Sequence, residues 1–493
     1  MKKLFVCYVL ALYLPLFAYA ENCSVPSLIN GMDIKIPCVV VNGEQFSTTL
    51  LNYLLSELYW QWNGELTPII CDDNIFTCVQ IDENVNLTFP SLDIGETSYI
   101  ATFDYASDLG QFNWRYRNHT AKQPELSESS LNTLRKYMTD FVDSGQIPGA
   151  VLAVSAGKKT VFLEAFGKRN VNEGLEMTTD TLFHIGSTHK ALTSFLLAVL
   201  VDEGVLNWDT KAQDIYPKFV LSNAKYASQI TIRQLLDMTS GLPKGADIVF
   251  DAPTRIILEG LGKVELIGGP GEQYEYSNLS VSIAAYLGIL AQTKVDNGEI
   301  QDNDLNNLHA GYERLLREKV LQPLKMENSY LYINDARATG RMANSHVLSE
   351  DEETFLVSES YDEQIDNIAP AGGLKSTASD MLRYMVTETL QGLTPEGTRL
   401  VSKENMLIRQ TLSPSPTSPN GYGLCLDIKL LKNGINYIGH SGSYDNFNST
   451  IGFFPELQIA FVLLVNGDSD VILDLTDGDS SIQNKIAEIL TQN

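Results

Sequence analysis

The stretch that decides the fold is GSTHKALTSFLLAVLVDEG, residues 186–204, where a short polar opening leads into a long apolar run. From Ser187 to about Glu203 the pattern predicts one helix, which Gly204 ends. Positions i and i+3 share a helix face, so the hydroxyl of Ser187 can meet the amine of Lys190. An amine activates a serine only if burial or a neighbouring cation lowers the amine's pKa. The stretch therefore predicts a buried Ser-Lys pair at the start of a core helix.

The Ser-x-x-Lys spacing needs this context, because the chain contains it three times. Ser155 and Lys158 fall in a predicted hairpin turn, whereas Ser222 and Lys225 fall in a polar connection. Only Ser187 begins an apolar helix, whose first backbone N–H groups have no partner inside the helix. The N–H of Ser187 is therefore predicted to face a developing oxyanion.

A second turn-rich segment, GGPGEQY at 268–274, leads to Tyr276-Ser277-Asn278 and then to another apolar helix. A tyrosine held in a tight turn can pass a proton between nucleophile and leaving group. Asn278, two residues on, can orient a substrate amide and the lysine. The alternative is that Tyr276 is a half-buried aromatic residue whose hydroxyl simply has a structural partner.

The third element is Gly439-His440-Ser441-Gly442-Ser443, at the end of a predicted strand. It is similar to the G-x-S-x-G elbow of α/β-hydrolases, but position 443 is serine and no histidine follows His440. We therefore exclude that fold. The segment is instead predicted to be a strand edge on which a substrate backbone pairs, with the Ser443 N–H as second oxyanion donor.

Taken in this order, the three motifs resemble the penicillin-recognising serine hydrolases, a superfamily of class C β-lactamases, D-alanyl-D-alanine carboxypeptidases, D-aminopeptidases and esterases. The resemblance covers about residues 130–490. It implies an α+β fold, β-lactamase/transpeptidase-like, in which helices flank an antiparallel sheet and form an all-helical subdomain. Mixed helix and hairpin patterns also favour an antiparallel sheet with a helical insertion between its first and last strands. The predicted strands are 151–154, 160–166, 437–439, 449–454 and 459–465, and helices are predicted at 131–143, 231–238 and 482–490.

The resemblance also implies roles for individual residues. Ser187 would be acylated, Lys190 would activate it, and Tyr276 would shuttle protons to the leaving group. Asn278 would hold the substrate amide, and His440-Ser441-Gly442 would lie on the sheet's edge strand beside the cleft. Class C β-lactamases have Lys-Thr-Gly at this third motif, whose fixed charge attracts the β-lactam carboxylate. A histidine with a pKa near 6.5 is mostly neutral at pH 7, so weak or no β-lactam hydrolysis is expected.

The N-terminus predicts export. Lys2 and Lys3 precede an apolar run that ends in Ala18-Tyr19-Ala20, as in a secretory signal peptide spanning residues 1–20. The protein is thus expected to be secreted or periplasmic, without an integral membrane segment after cleavage. Residues 21–120 predict a small β-rich domain with disulfides, residues 121–130 a linker, and residues 131–493 the hydrolase domain. Four cysteines, 23, 38, 71 and 78, allow three pairings, of which 23–38 with 71–78 gives the shortest loops.

The composition of the chain limits the kinds of molecule that it can bind. The 493 residues carry a net charge of −26, which repels phosphate backbones, and nucleic-acid binding is excluded. The sequence contains no metal-ligand or phosphate-binding motif, so neither a metal nor a cofactor is predicted. The expected partner is a small-molecule, peptide or ester substrate, which the family resemblance links to the cell wall.

Two functions fit these observations. The first is an exported serine hydrolase that forms an acyl-enzyme on Ser187 and acts on amides or esters. The second is a catalytically idle, penicillin-binding sensor that uses the same cleft to hold a ligand. Turnover of ester and D-amino-acid amide substrates distinguishes the two.

Overall fold

The computed structural model describes the backbone of eight strands between residues 27 and 118, and residues 126–491 except 245–253, 352–353, 359–367, 414–420, 432–434 and 479–480. The chain divides into two units, Met1–Gln123 and Pro124–Asn493.

In the first unit the strands form two antiparallel sheets, one of five strands and one of three, each in chain order. The aromatic-rich runs at 98–105 and 112–116 lie within β7 and β8. The strands are β1 Ser27–Ile29, β2 Asp33–Val41, β3 Glu44–Tyr53, β4 Glu57–Trp62, β5 Glu65–Pro68, β6 Asn86–Ile94, β7 Thr97–Ala106 and β8 Gln111–Asn118.

Several predictions for this unit lie outside the described residues. These are the signal peptide at 1–20 and the positions of Cys23, Cys71 and Cys78. Cys38 lies in β2, where only the backbone is described. The signal peptide and the disulfide pairing therefore stay predictions.

The second unit begins with helix α1, Glu128–Asp143. The sequence predicted a start at Leu131, so the last three residues of the predicted linker, 121–130, are helical instead. Ser127 explains the earlier start, because its hydroxyl accepts a hydrogen bond from the N–H of Ser130 at 3.1 Å. A serine in this position satisfies one of the free N–H groups of the first turn.

A seven-stranded antiparallel sheet organises this unit, in the order β11-β10-β9-β19-β18-β17-β16. Because β9 pairs with β19, the strands before the helical region lie beside those after it. The predicted antiparallel sheet with a helical insertion is confirmed. Its strands are β9 Gly149–Ala156, β10 Lys159–Asn170, β11 Leu175–Glu176, β16 Asp427–Leu430, β17 Asn436–Tyr444, β18 Phe447–Phe454 and β19 Ile459–Val465.

Between β11 and β16 the chain is largely helical, with short strands that form small separate sheets. The helices there are α2 His189–Asp202, α3 Ala212–Ile215, α4 Ala224–Ala227, α5 Ile232–Leu236, α6 Thr254–Glu259, α7 Asn278–Asn297, α8 Leu308–Leu316, α9 Ile333–Ala338, α10 Ala369–Gly372, α11 Ala378–Thr389 and α12 Lys403–Arg409. The short strands are β12 Phe183–His184, β13 His346–Leu348, β14 Phe355–Val357, β15 Lys375–Ser376 and, after β19, β20 Gly467–Asp468. Helices α13 Asp470–Asp477 and α14 Ile482–Thr491 end the described chain.

The central strands are buried on both faces. In β9, Val151 and Ala153 pack into a cluster that contains α2, α7 and α11, whereas Leu152 and Val154 pack against α1 and α14. Burying an aliphatic side chain of this size contributes about 1.5–3 kcal/mol. Burial on both sides explains why β9 is a continuous apolar run rather than an alternating one.

Helix α2 lies inside the helical region, and every residue from His189 to Leu200 is buried. A helix that is apolar on all sides requires such a position. Among the described residues, no helix combines the length and apolar character needed to span a membrane.

Candidate active site

Ser187 lies in a 3₁₀ turn, Gly186–Thr188, which leads directly into α2. The α-helix thus starts two residues later than predicted. Ser187 and Lys190 still lie on the same face, although the first turn is a 3₁₀ turn and not an α-helical one. The Nζ atom of Lys190 lies 2.8 Å from Oγ of Ser187. The predicted Ser-Lys contact is present in the structure.

The amine of Lys190 is fully buried. It donates a hydrogen bond to the carbonyl oxygen of Ala371 at 2.7 Å and lies 4.8 Å from the ring centre of Tyr276. No ion pair to Lys190 is present within the part of the chain that the structure describes. Burial lowers the pKa of Lys190 to about 7. The amine is therefore substantially neutral near pH 7 and can accept a proton from Ser187.

Tyr276 precedes α7, and its phenol lies close enough to the Ser187 side chain for the serine to act on the phenol's pKa, in the lowering direction. Burial raises the pKa of its phenol far above the usual value. The resting phenol therefore keeps its proton, which suits a donor to a leaving group better than a base. Ser187 thus contacts the base candidate Lys190 and lies near the acid candidate Tyr276.

Asn278 is the first residue of α7, and Ser277 caps that helix. The Ser277 side chain also donates to the carbonyl of Pro243 at 3.1 Å, which ties the Tyr-Ser-Asn turn to a preceding loop. Asn278 is half-buried, two residues after Tyr276. Its predicted contact with a substrate amide stays a prediction.

The nucleophile turn and strand β17 approach each other backbone to backbone. Gly186 has a φ of +50°, and a Cβ atom on it would lie 3.0 Å from the backbone nitrogen of Ser443. A Cβ on Gly442 would lie 2.8 Å from the backbone nitrogen of Ser187. Both positions therefore need glycine, and the two predicted oxyanion donors lie on adjacent stretches of main chain.

The direction of the Ser443 amide follows from the hairpin that joins β17 to β18. Tyr444 pairs with Phe447 across a two-residue turn, Asp445 and Asn446, whose φ values are 49° and 58°. In such a turn the closing pair exchanges hydrogen bonds, and outward and inward residues alternate from there. The N–H and C=O of Ser443 therefore point away from β18, towards the open side of β17.

β17 is an edge strand over only part of its length, which corrects the prediction. β16 pairs with residues 436–439, from Asn436 to Gly439, and ends there. Among the described residues no strand pairs with β17 beyond Gly439 on this side, so its free edge starts at His440 and includes Ser441, Gly442 and Ser443. An extended substrate could pair with this edge as an added strand.

His440 has a different role from the one its sequence suggested. It is buried, and burial, reinforced by the nearby charge of Lys190, lowers the pKa of its imidazole to about 3. The expectation of a pKa near 6.5 was wrong, because the sequence does not show how thoroughly the ring is desolvated. His440 is neutral throughout the physiological range and supplies no charge to attract a carboxylate.

Both ring nitrogens of His440 have partners within the protein. The Nδ1 atom contacts the carbonyl oxygen of Ser441, which can only accept, so Nδ1 carries the proton. The Nε2 atom then accepts from the hydroxyl of Tyr422 at 3.1 Å. The imidazole is therefore a hydrogen-bonded support for the strand edge.

The sequence did not identify two of the residues around the site. Ala371 belongs to none of the three motifs, and its carbonyl acts through the backbone, which no residue type reveals. Tyr422 has no motif at all. His189, which follows the nucleophile turn, is buried, and its ring contacts the hydroxyl of Tyr312 at 3.0 Å. Among the described residues, no group of His, Cys, Asp or Glu could hold a metal ion.

An antiparallel sheet, a helical subdomain and a Ser-Lys-Tyr cluster at their junction define a β-lactamase/transpeptidase-like protein. Residues 134–477 match the family described as Beta-lactamase, a match that spans well over half of the chain. The protein belongs to this family, within the penicillin-recognising serine hydrolases.

Curated relatives span the same region. The chain is 27% identical over 342 residues to the unguisins hydrolase ungD' of Aspergillus campestris, covering 66% of this chain and 59% of that protein. It is 24% identical over 364 residues to Protein flp of Staphylococcus aureus strain MW2, covering 71% and 66%. The chain thus spans about three fifths to two thirds of the length of these relatives.

Solved structures share the fold. A penicillin-binding protein homologue from Pyrococcus abyssi, described as octameric, superposes with a TM-score of 0.55 at 23% identity, covering 68% of this chain and 73% of that one. SurE superposes with a TM-score of 0.56 at 20% identity, covering 74% and 75%. At these identities the likeness concerns the fold.

Proposed function

We propose that this protein is an exported serine hydrolase that cleaves amide or ester substrates through an acyl-enzyme on Ser187. The observation that carries the proposal is the contact of Ser187 with Lys190, whose buried amine has a pKa of about 7. Burying a charged lysine that has no acidic partner among the described residues lowers the stability of the fold, which disfavours the charged form of Lys190. The predicted signal peptide at residues 1–20 is the reason for proposing export.

The residues suit a two-step reaction. Lys190 accepts the proton of the Ser187 hydroxyl as Oγ bonds to the acyl carbon, and the N–H groups of Ser187 and Ser443 receive the oxyanion. The bond to the leaving nitrogen or oxygen then breaks, and the phenol of Tyr276 supplies the leaving group's proton. The proton held by Lys190 then passes to the Tyr276 phenolate and restores the neutral phenol. Water then attacks the ester, and its proton returns through the same groups to Oγ.

The electrostatics favour substrates without a carboxylate beside the scissile bond. At the third motif His440 is neutral and both of its nitrogens have protein partners. A β-lactam or a C-terminal peptide bond places a carboxylate close to that position. We therefore expect esters, amides and internal or capped peptide bonds to react faster than β-lactams.

The relatives are compatible with such substrates. One curated relative is named as a hydrolase of unguisins, and one solved SurE structure contains D-Leu. By analogy we include D-aminoacyl amides and peptides, including fragments derived from the cell wall, among the proposed substrates. Fold likeness alone does not select among them.

The test combines labelling with turnover. A fluorophosphonate probe should add one adduct to the purified protein in intact-mass analysis, and Ser187→Ala should remove it. Turnover is then measured on p-nitrophenyl esters, D-aminoacyl amides and a chromogenic cephalosporin. The cephalosporin and its methyl ester form a matched pair, because they differ only in the carboxylate.

We expect labelling at Ser187, turnover of esters or amides, and faster reaction of the methyl ester than of the free acid. An adduct that persists in Ser187→Ala would overturn the proposed nucleophile. A single acylation without turnover on any substrate would instead identify the idle, ligand-binding sensor.

A further inference from the structure

Tyr422 lies behind the proposed reaction centre, in a segment that precedes β16. Its side chain is buried, and its hydroxyl lies 3.1 Å from Nε2 of His440. Because Nδ1 of that ring carries the proton, the Tyr422 hydroxyl is the donor. The contact joins two segments that are 18 residues apart in the chain.

The backbone around Tyr422 is firmly held. Its carbonyl accepts from the N–H of Ser413 at 2.9 Å, and Tyr422 forms a β-bridge with Asp427 at the start of β16. The flanking Gly421 and Gly423 lie so close to neighbouring backbone that a Cβ on either would approach a carbonyl oxygen to 2.4 Å or less. The hydroxyl of Tyr422 is therefore presented from a fixed position.

From there a continuous path leads to the substrate edge. Tyr422 donates to His440, and His440 donates to the carbonyl of Ser441. By the same alternation that orients Ser443, the Ser441 carbonyl points to the open side of β17. The hydrogen bond from His440 thus satisfies the Ser441 carbonyl. The N–H and C=O of Ser443, which point to the same side, remain available to a substrate.

The same ring also supports the acid candidate. The centres of His440 and Tyr276 are 6.1 Å apart, and those of His440 and Tyr422 are 6.0 Å apart. Tyr274 contacts Tyr422 edge-on at 5.6 Å. Together these four rings form one continuous cluster, which reaches the Lys190 amine through Tyr276. A change in the position of the His440 ring would therefore disturb both the free edge of β17 and the position of the Tyr276 phenol.

We propose that Tyr422 is a positioning residue, whose hydroxyl holds the neutral His440 ring between Tyr276 and the free edge of β17. The inference rests on the proposed hydrolase function for its kinetic consequence, but its structural content is independent of turnover. Tyr422 touches no reacting atom and acts through His440.

Charged and titratable groups approach His440 from several elements. Lys190 faces it from α2, Tyr276 from the approach to α7, Tyr422 from the segment before β16, and Lys429 acts from β16. Both lysines disfavour the imidazolium form, and a hydrogen bond donated to Nε2 favours the neutral ring. Loss of that donor should therefore raise the pKa of His440 relative to the unaltered protein.

The experiment compares Tyr422→Phe with Tyr437→Phe. Tyr437 is an apt control, since it is also a buried tyrosine and its hydroxyl donates to the carbonyl of Ile451 at 3.0 Å. It packs on the opposite face of the sheet. Histidine-selective ¹⁵N labelling with long-range ¹H–¹⁵N spectra reads the ring nitrogens, and His440→Gln assigns the signals.

In the unaltered protein we expect the Nδ1-protonated tautomer and no titration above pH 5. In Tyr422→Phe the Nε2 signal should shift, and kcat/KM on the best ester should fall roughly tenfold. Tyr437→Phe should leave the His440 signals in place and change kcat/KM less than twofold.

Unchanged His440 signals in Tyr422→Phe, or an equal loss of kcat/KM in both variants, would overturn the positioning role. The spectra remain informative if no substrate turns over. Failure of the proposed function would show as activity that survives Ser187→Ala, and the Tyr422 assignment would then stand or fall on the spectra alone.

Discussion

Two buried basic side chains meet at helix α2: Lys190 belongs to the helix, and Arg409 contacts it from α12. Among the described residues, only Arg409 has a carboxylate partner. Lys190 contacts a serine hydroxyl and a carbonyl, and burial lowers its pKa to about 7. Arg409, in α12, forms a fully buried ion pair with Glu388 at 2.7 Å and donates to the carbonyl of Ala191 at 2.8 Å. Burial acts to lower the pKa of Arg409 too, but Glu388 and Tyr384 outweigh it and keep the pKa above its usual value.

The comparison identifies two conditions that convert a buried cation into a base: the side chain is an amine, which can lose its proton where a guanidinium does not, and it has no carboxylate partner among the described residues. With a carboxylate alongside, the charge persists and the pair ties α11 and α12 to α2. Without one, desolvation favours the neutral amine, and its lone pair becomes available to a neighbouring hydroxyl. The Arg409–Glu388 pair thus links helices, whereas the buried amine of Lys190 is unfavourable for stability but reactive.

The largest expected effect comes from removing the base. Lys190→Met should lower kcat/KM by roughly 10²–10⁴-fold, the usual contribution of a general base, while stability is retained because a buried amine is replaced by an apolar side chain. Ester kinetics and thermal unfolding measure both. Lys319→Met, which removes a surface pair with Glu203, is the control and should keep its activity. Unfolding of Lys190→Met at a much lower temperature would show a structural role instead.

The second largest effect is expected from breaking the buried ion pair between Arg409 and Glu388. Glu388→Gln leaves Arg409 buried without its carboxylate and should cost about 3–5 kcal/mol of unfolding free energy in urea denaturation. The comparison residue is Glu396, which pairs with Arg383 near the surface, and Glu396→Gln should cost at most about 1 kcal/mol. Folded Glu388→Gln should still label at Ser187. A stability equal to that of the unaltered protein would contradict the assignment.

A carboxylate placed beside Lys190 should sharpen the comparison further. Cys425 is buried within electrostatic reach of the Lys190 amine, and its φ of 61° suits Asp or Asn. Cys425→Asp should raise the pKa of Lys190 and move the midpoint of the pH–rate profile upwards by about one unit, a loss of roughly fivefold at pH 7. Cys425→Asn, which lacks the charge, should keep the original midpoint. Identical midpoints in the two variants would argue against Lys190 as the base.

The smallest effect is expected at His440. In the unaltered protein kcat/KM should rise with pH through about 7, because protonated Lys190 is inactive and its neutral form is the base. His440 has its pKa near 3 and should add no inflection between pH 5 and 9. His440→Gln, whose amide can make both hydrogen bonds, should therefore leave the midpoint unchanged. A second inflection that disappears in this variant would show that the imidazole titrates.

The sequence predicted those parts of the molecule that depend on neighbouring residues. The Ser187–Lys190 contact spans one helical turn, and the hairpin strands follow from apolar runs between turn residues. These local patterns survive folding because backbone periodicity fixes which side chains face each other. The family resemblance extended this to Tyr276 and the His440 segment.

What the sequence could not provide depends on distant contacts. The carbonyl that receives the Lys190 amine is 181 residues away, and Tyr422 reaches His440 from a separate segment. The protonation of His440 follows from burial, which a residue type does not record. The early start of α1 depended on a single serine hydroxyl that the apolar pattern does not include.

The glycines at 186 and 442 let main chain rest on main chain between the nucleophile turn and β17. The spacing of the two oxyanion donors is consequently insensitive to which side chains surround them. Mutations that reshape the cleft for a new acyl group can accumulate while that spacing persists. This separation makes the scaffold evolvable: substrate preference can drift, and the charge-stabilising geometry is inherited unchanged.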